Sequence, residues 1–302
     1  MIRLTPYAFR LAVLVLPCAL VAPDDYQATR EEFLEQINAA RVAAGRTPLK
    51  LSAALSSVAQ QRAGDIAAGR ERSGRGAEED LSRAAKAGYE ARVVSEIAAE
   101  ADGGVEDVVS AWKQEKGPVA ADLFGKDYRE IGVGVSLVAE RPLYVLLFAL
   151  SWEDFFRERT GALSDLERVR RNMLARVNRE RDRRGLSPLR RHPYLDDAAQ
   201  AHADDMFARR YYSHDSPNGN TAIDRVAARG YRARYAGENI ARGQYSVDEV
   251  MDGWMQSPTH REHLLSPVFN DVGFGLKFGK NPGGYEILWV QNFARPRGRE
   301  RL

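Results

Sequence analysis

Residues 34–66, LEQINAARVAAGRTPLKLSAALSSVAQQRAGDI, lie over residues 174–206, LARVNRERDRRGLSPLRRHPYLDDAAQAHADDM, without a gap. Asn38 falls on Asn178, Gly45 on Gly185, Pro48-Leu49 on Pro188-Leu189, Leu55 on Leu195 and Asp65 on Asp205. After a shift of two residues the register resumes, with Gly88-Tyr89 on Gly230-Tyr231, Glu96 on Glu238 and Trp112 on Trp254. One residue back, Ile131-Gly132-Val133-Gly134 falls on Val272-Gly273-Phe274-Gly275. A tandem duplication constrains the fold more than any local propensity, because whatever one copy folds into the other must match. A chain of 302 residues is also long for one core and suits two of ordinary size.

Each copy reads as three helices followed by a hairpin. In the second copy Gly185 stops a long first helix, since glycine readily takes the left-handed conformation needed at a helix end. Leu195, Ala198, Ala199, His202 and Met206 then share one helical face. A further helix opens at Ser246, with Glu249 placed for a capping box. Ser257-Pro258 suits the N-cap and first position of a short helix carrying His260, His263 and Leu264. VGFGLKFG and YEILWVQNF alternate at period two around a Gly-rich loop, which predicts a β-hairpin. Helices with an antiparallel sheet, lacking strand-helix-strand alternation, predict an α+β class built in layers.

Apolar residues are 44% of the chain and charged residues 28%, the balance of a soluble globular protein. Lys and Arg total 44 against 42 Asp and Glu, so net charge identifies no partner. Arg-rich stretches at residues 157–192 and 295–301 read as a solvated helix face stitched by Glu–Arg pairs. The alternative is a weak contact with anionic wall polymer or lipid headgroups. No aromatics interleave with the basic residues, so nucleic acid is not expected as a partner. At the N-terminus, Arg3 and Arg10 precede an apolar run, Leu11–Ala22, which ends before Pro23-Asp24-Asp25. That layout predicts a secretory signal over residues 1–23 and a secreted or cell-envelope protein. The run is short for a membrane span. The single cysteine, Cys18, lies inside it, leaving the mature chain without a thiol or a Cys-ligated metal.

The five histidines, His192, His202, His214, His260 and His263, all lie in the second copy. His202 sits on an apolar helical face and reads as a core residue. His214, in YYSHDSPNG, falls in a Gly/Pro/Asn-rich loop of the kind that carries functional side chains. His260 stands in the first turn of its helix, where unpaired N–H groups depress an imidazole pKa. Glu238, between Gly237 and Asn239, reads as a residue of a tight turn that either ligates something or pins the loop. Two imidazoles and a carboxylate suit Zn²⁺ or another divalent cation with a fourth position open for water. The spacing of His214, Glu238 and His260 does not itself bring them together. A Ser–His–Glu hydrolase through Ser213 or Ser257 is the remaining catalytic arrangement, with Ser257 already assigned to an N-cap.

Four pieces in order, AHADDM, YYSHDSPNG, AGENIARG and WMQSPTHREHLL, followed by WVQNF, make residues 165–296 resemble the CAP superfamily. This is the group of cysteine-rich secretory, antigen 5 and pathogenesis-related proteins, and the likeness is to its cysteine-free bacterial branch. The resemblance implies an α-β-α sandwich and a central cleft where histidines and glutamates gather and can bind divalent metal. It assigns His214 as the loop histidine and Glu238 as the glutamate of Gly-Glu-Asn, with Asn239 beside it. The second glutamate of the eukaryotic pattern is replaced by Ser257. The Gly-His-Tyr-Thr-Gln motif is missing, and His260 of SPTHR stands as the substitute. The first copy resembles the family more faintly: it keeps Glu96, has Glu115 three residues after Trp112, and has no histidine.

The expected organisation is a signal (1–23), a degenerate copy (26–152), a linker (153–165), a CAP-like copy (166–297) and a basic tail (298–302). The first functional reading is an extracellular binding module for a lipid, a wall polymer or a protein, its cleft formed by His214, Glu238, His260 and Asn239. A metal-assisted hydrolase using His214, Glu238 and His260, and a purely structural pair, are the alternatives.

Overall fold

The computed structural model describes residues 26–71, 76–101, 103–115 and 117–298; the expected signal and Cys18 lie outside them. The chain divides into two units, Met1–Phe155 and Phe156–Leu302. The first contains α1 (Gln27–Ala43), β1 (Lys50–Leu51), α2 (Ala53–Ala67), α3 (Ala77–Lys86), β2 (Ala91–Glu100), α4 (Val105–Gln114), α5 (Pro118–Leu123), β3 (Glu130–Val138) and β4 (Arg141–Ser151). Residues 153–165, expected as a linker, contain most of helix α6 (Trp152–Thr160) and a single 3-10 turn, Gly161–Leu163; Phe156 and Leu163 are buried in the core of the second unit. The second unit continues with α7 (Leu166–Asp182), β5 (Arg190–Arg191), α8 (Pro193–Arg209), α9 (Ala222–Ala228), β6 (Ala233–Arg242), α10 (Val247–Gln256), α11 (Pro258–Leu265), β7 (Asp271–Asn281) and β8 (Gly284–Pro296).

The two sheets have the same topology, β1-β3-β4-β2 and β5-β7-β8-β6, with a short parallel pair at one edge and antiparallel pairs elsewhere. In the first unit Phe33, Trp112 and Leu123 from α1, α4 and α5 cover one face of the sheet over Ile131, Val133 and Phe148. Leu55, Ala59 and Ala84 from α2 and α3 cover the other over Val145 and Leu147. In the second unit Val177, Trp254 and Leu264 lie over Val272, Trp289 and Phe293. On its opposite face Ala199 and Met206 meet Ile240 and Val290, and Val226 meets Ala294. Both units are α-β-α sandwiches of the α+β class.

The repeated residues explain why the two copies fold alike. Gly45 and Gly185 take left-handed φ values of 69° and 67° just past α1 and α7. Asn38 donates to the Leu49 carbonyl and accepts its N–H, and Asn178 clasps Leu189 in the same way. Buried Arg41 donates to the carbonyls of Leu123 and Gly125, and buried Arg181 to those of Leu264 and Ser266, at the C-terminal ends of α5 and α11. Helix C-termini leave carbonyls unpaired and favour cations, so each guanidinium is satisfied without a carboxylate. Gly134 and Gly275 let a helix lie on the strand backbone: a Cβ there would stand 2.1 Å from the Ala59 carbonyl oxygen and 2.3 Å from backbone atoms of Ala199. Several arginines of α7 and of the turn after it are engaged internally, Arg176 with Glu180, Asp248 and Asp252, Arg183 and Arg184 with Glu180.

Candidate functional site

β6 is one of the two edge strands of the second sheet, and the candidate residues gather around it. Glu238 is in the middle of this strand, pairing with Asn292 of β8, and not in a turn. Gly-Glu-Asn looks like a turn because Gly and Asn are common there, but Gly237 has another role. A Cβ on it would sit 2.9 Å from the Phe269 ring and 3.1 Å from that of His263, so the glycine lets those rings close against the strand. Consecutive residues of a strand point to opposite faces. Glu238 therefore faces α8 and α9, whereas Asn239 faces α10 and α11.

On the α8 side Glu238 is 4% exposed and both its oxygens are engaged. Oε2 accepts from Arg225 of α9 at 2.7 Å. Oε1 accepts from His214 Nδ1 at 3.0 Å, with His202 Nε2 at 3.8 Å. With its amide turned to satisfy both ends, Asn292 adds a donor to Oε2 at 3.1 Å. Arg225 also donates to the carbonyls of His214 and Asn220 and to Ser216 Oγ, so one guanidinium orders the whole loop bearing His214. His202 is a core residue, as its helical face predicts: it is fully buried and donates from Nε2 to the Ser213 carbonyl at 3.0 Å.

On the other side Asn239 is fully buried. Its amide donates to the His260 carbonyl at 3.1 Å, which turns Oδ1 towards His263 Nδ1 at 2.9 Å and makes that nitrogen a donor. The His260 ring shares a hydrogen bond with Ser257 Oγ at 2.8 Å. Ser257 thus occupies the N-cap position of α11 without its side chain capping the helix. At α10 the cap forms as expected, Ser246 accepting from the Glu249 N–H, but the return bond from Glu249 lands one residue early, on Tyr245.

These contacts set the protonation of the imidazoles. The hydrogen bond to Glu238 raises the pKa of His214, whose side chain remains 55% exposed. Burial lowers that of His202. Burial, then the neighbouring His214 and His263, lower that of His260; burial chiefly lowers that of His263. At neutral pH the site combines one exposed imidazole held towards its charged form with three neutral ones.

The structure brings His214 onto Glu238 directly and ties His260 to Asn239 through its backbone. Among the described residues no group of three His, Cys, Asp or Glu side chains is arranged to hold a metal ion. Arg225, His263, Gln291 and Asn292 also belong to the site. Arg225 carries no sequence signal, being one arginine among many. His263 stands one helical turn after His260, and Gln291-Asn292 are the polar pair inside the otherwise apolar WVQNF.

The protein YkwD of Bacillus subtilis (strain 168) is 35% identical over 134 residues, covering 44% of this chain and 50% of that protein. The membrane protein YlbC of the same organism is 29% identical over 106 residues, covering 35% of this chain and 31% of that one. The alignments thus span half or less of these curated relatives. A solved extracellular protein containing a SCP domain, from Bacillus anthracis str. Ames, is 25% identical with a TM-score of 0.40, covering 54% of this chain and 59% of its own. The sequence pattern of the cysteine-rich secretory protein family matches residues 34–148 and again residues 174–293, once in each unit. The chain therefore belongs to the CAP family and carries its domain twice.

Proposed function

We propose that the chain is an exported binding protein that captures a polar ligand at the β6 edge of its second unit, with the first unit as scaffold. The carrying observation is the engagement of Glu238. Its charge is matched by Arg225 and it holds His214 in place, so the carboxylate is a fixed element of the wall rather than a free base. An exposed imidazole held towards its charged form offers a donor to sugar, phosphate or peptide oxygens, and that donor strengthens as pH falls. The family's secretory name and the basic-then-apolar start of the chain support an extracytoplasmic location, checked by N-terminal sequencing of exported protein.

The five histidines supply the test. On adding solubilised wall fragments, peptides or anionic vesicles, the imidazole NMR signals of His214 and His260 are expected to shift while that of His192 does not. Silence of both signals with every ligand class would remove this reading.

The meeting of His214, Glu238 and His260 at one strand favours a second reading, metal-assisted hydrolysis with Zn²⁺ or another divalent cation. The residues fit such an ion poorly as arranged, since Glu238 would have to release Arg225 or His214 to become a ligand. Calorimetric titration of Zn²⁺ distinguishes the two. Stoichiometric binding abolished alike by His214→Ala, Glu238→Ala and His260→Ala supports the metal; equally weak binding by wild type and variants supports the metal-free cleft.

A further inference from the structure

Away from the β6 site, the second unit holds a cavity of about 420 Å³ between the end of α8, the end of β6 and the tip of the β7–β8 hairpin. That volume is in the range of small-molecule sites. Aromatic residues form much of its wall. Phe156 packs on Tyr285 at 5.0 Å and Tyr245 at 6.2 Å between ring centroids, and Tyr212 lies beneath the Arg242 guanidinium at 5.6 Å. Tyr212 is 44% exposed.

Two arginines stand among these rings. Arg242 has a loose pairing with Glu286 at 3.6 Å, and Glu286 also accepts from Asn281 at 2.9 Å. Arg210 is exposed and has no ion pair among the described residues. It ends α8 with a φ of 58°, a left-handed conformation that glycine or asparagine adopts more easily. Backbone preference therefore does not account for an arginine there, whereas a guanidinium on the cavity wall does. Two positive charges against one negative leave the cavity with a surplus of one.

The hairpin is what builds this wall. From the Gly132–Leu147 pair the first unit's hairpin runs six more pairs to Val138–Arg141; from Gly273–Asn292 the second runs eight to Asn281–Gly284. Tyr285 and Asn281 stand on the added length.

We propose that this cavity binds a sugar bearing a single carboxylate, its ring laid on the tyrosine faces and its carboxylate held by Arg242 and Arg210. A pyranose has an apolar C–H face and a polar edge, as the walls do. A plain aromatic acid carries no hydroxyls to meet the acceptor capacity left on Glu286, whose Oε2 already accepts from Asn281. The carboxylate matches the surplus charge and the fork geometry of guanidinium groups. Such sugars come from wall polymer, as muramic acid, or from acidic polysaccharide, as uronic acid.

The test is calorimetry on the full chain with N-acetylmuramic acid, glucuronic acid and a neutral twin of each, N-acetylglucosamine (the first without its lactyl ether) and glucose. At least one acid is expected to bind, and which one identifies the source. Removing the carboxylate should weaken binding about tenfold, as expected for one charge-assisted interaction. Arg242→Gln and Arg210→Gln should each weaken the bound acid similarly with unchanged melting, and His214→Ala should leave it intact. Binding of neither acid, equal binding of the bound acid's neutral twin, or loss with His214→Ala but not with the arginine variants would overturn the proposal. Because His214 belongs to the other site, failure here leaves the β6 reading standing.

Discussion

The two units keep the same glutamate and surround it differently. Glu96 and Glu238 occupy the same register position of β2 and β6, but Glu238 pairs across the sheet with Asn292 and Glu96 with Leu147. The next pair, Asn239–Gln291 in the second unit, is Ile97–Leu146 in the first. His202 is replaced by Arg62, which is buried and grips Glu96 with two nitrogens, at 2.6 and 3.2 Å. Arg41 and Arg181 mark Leu123 and Leu264 as equivalents, so the residue before them, His263, corresponds to Asp122. Asp122 accepts from Ser95 at 2.8 Å, and Ser95 stands where the second unit has Gly237. The first unit has thus exchanged a polar, imidazole-lined strand edge for apolar pairs, while its glutamate keeps an arginine partner supplied by a different helix. A retained glutamate is therefore no sign of a retained site. What distinguishes the units is whether Glu is neutralised from the core helix α2 or from the short helix α9 that also orders a functional loop.

The sharpest way to break the claim that both units rest on one frame is to load its tightest contact. Gly134→Ala and Gly275→Ala each drive a Cβ into helix backbone, and each is expected to cost about 3 kcal/mol or more in thermal or denaturant unfolding. Tolerance of one and not the other would mean that the helices do not lie on the strands in the same way. Next in size is the pair of glutamates. Glu96→Gln leaves the buried Arg62 guanidinium with Glu71 as its remaining carboxylate partner and should cost about 2 kcal/mol. Glu238→Gln should cost about 1 kcal/mol, because Arg225 keeps two carbonyls and a hydroxyl as acceptors. Equal losses would show that the two carboxylates are used alike.

The smallest effect is one of pH. Asp80, buried near Glu96, Glu79, Arg62 and Arg83, has its pKa raised to about 6, first by burial and then by Glu96. Between about pH 4 and pH 6 the folded chain holds a proton that the unfolded chain has lost. Its contribution is therefore complete below pH 4 and is lost as pH rises through 6. Relative to Asp80→Asn, the wild type should gain about 1 kcal/mol between pH 7 and pH 5. His214 in the second unit has the same sign, its raised pKa placing the loss higher, and His214→Ala should remove only that part.

Much of this was legible from the chain. Copy-on-copy register located both units, Gly185 the end of α7, and period-two alternation the hairpin, because these depend on local geometry and on repetition. His214 and Glu238 were legible as partners through the family motif. Strand β6 was not, since Gly-Glu-Asn carries turn residues and only the approach of Phe269 and His263 explains the glycine. The two-residue strands β1 and β5 are too short to show a period, and α9 too short to show an amphipathic face. The sequence by itself determined that there are two copies, their α+β class, and which one holds the histidines. Only the tertiary structure decided that Glu238 and Asn239 face opposite sides of an edge strand, that Arg225 takes up the carboxylate, and that the longer hairpin walls a second cavity. Those outcomes depend on which distant side chains reach the strand, and a burial or charge partner tens of residues away leaves no local trace in the order of the amino acids.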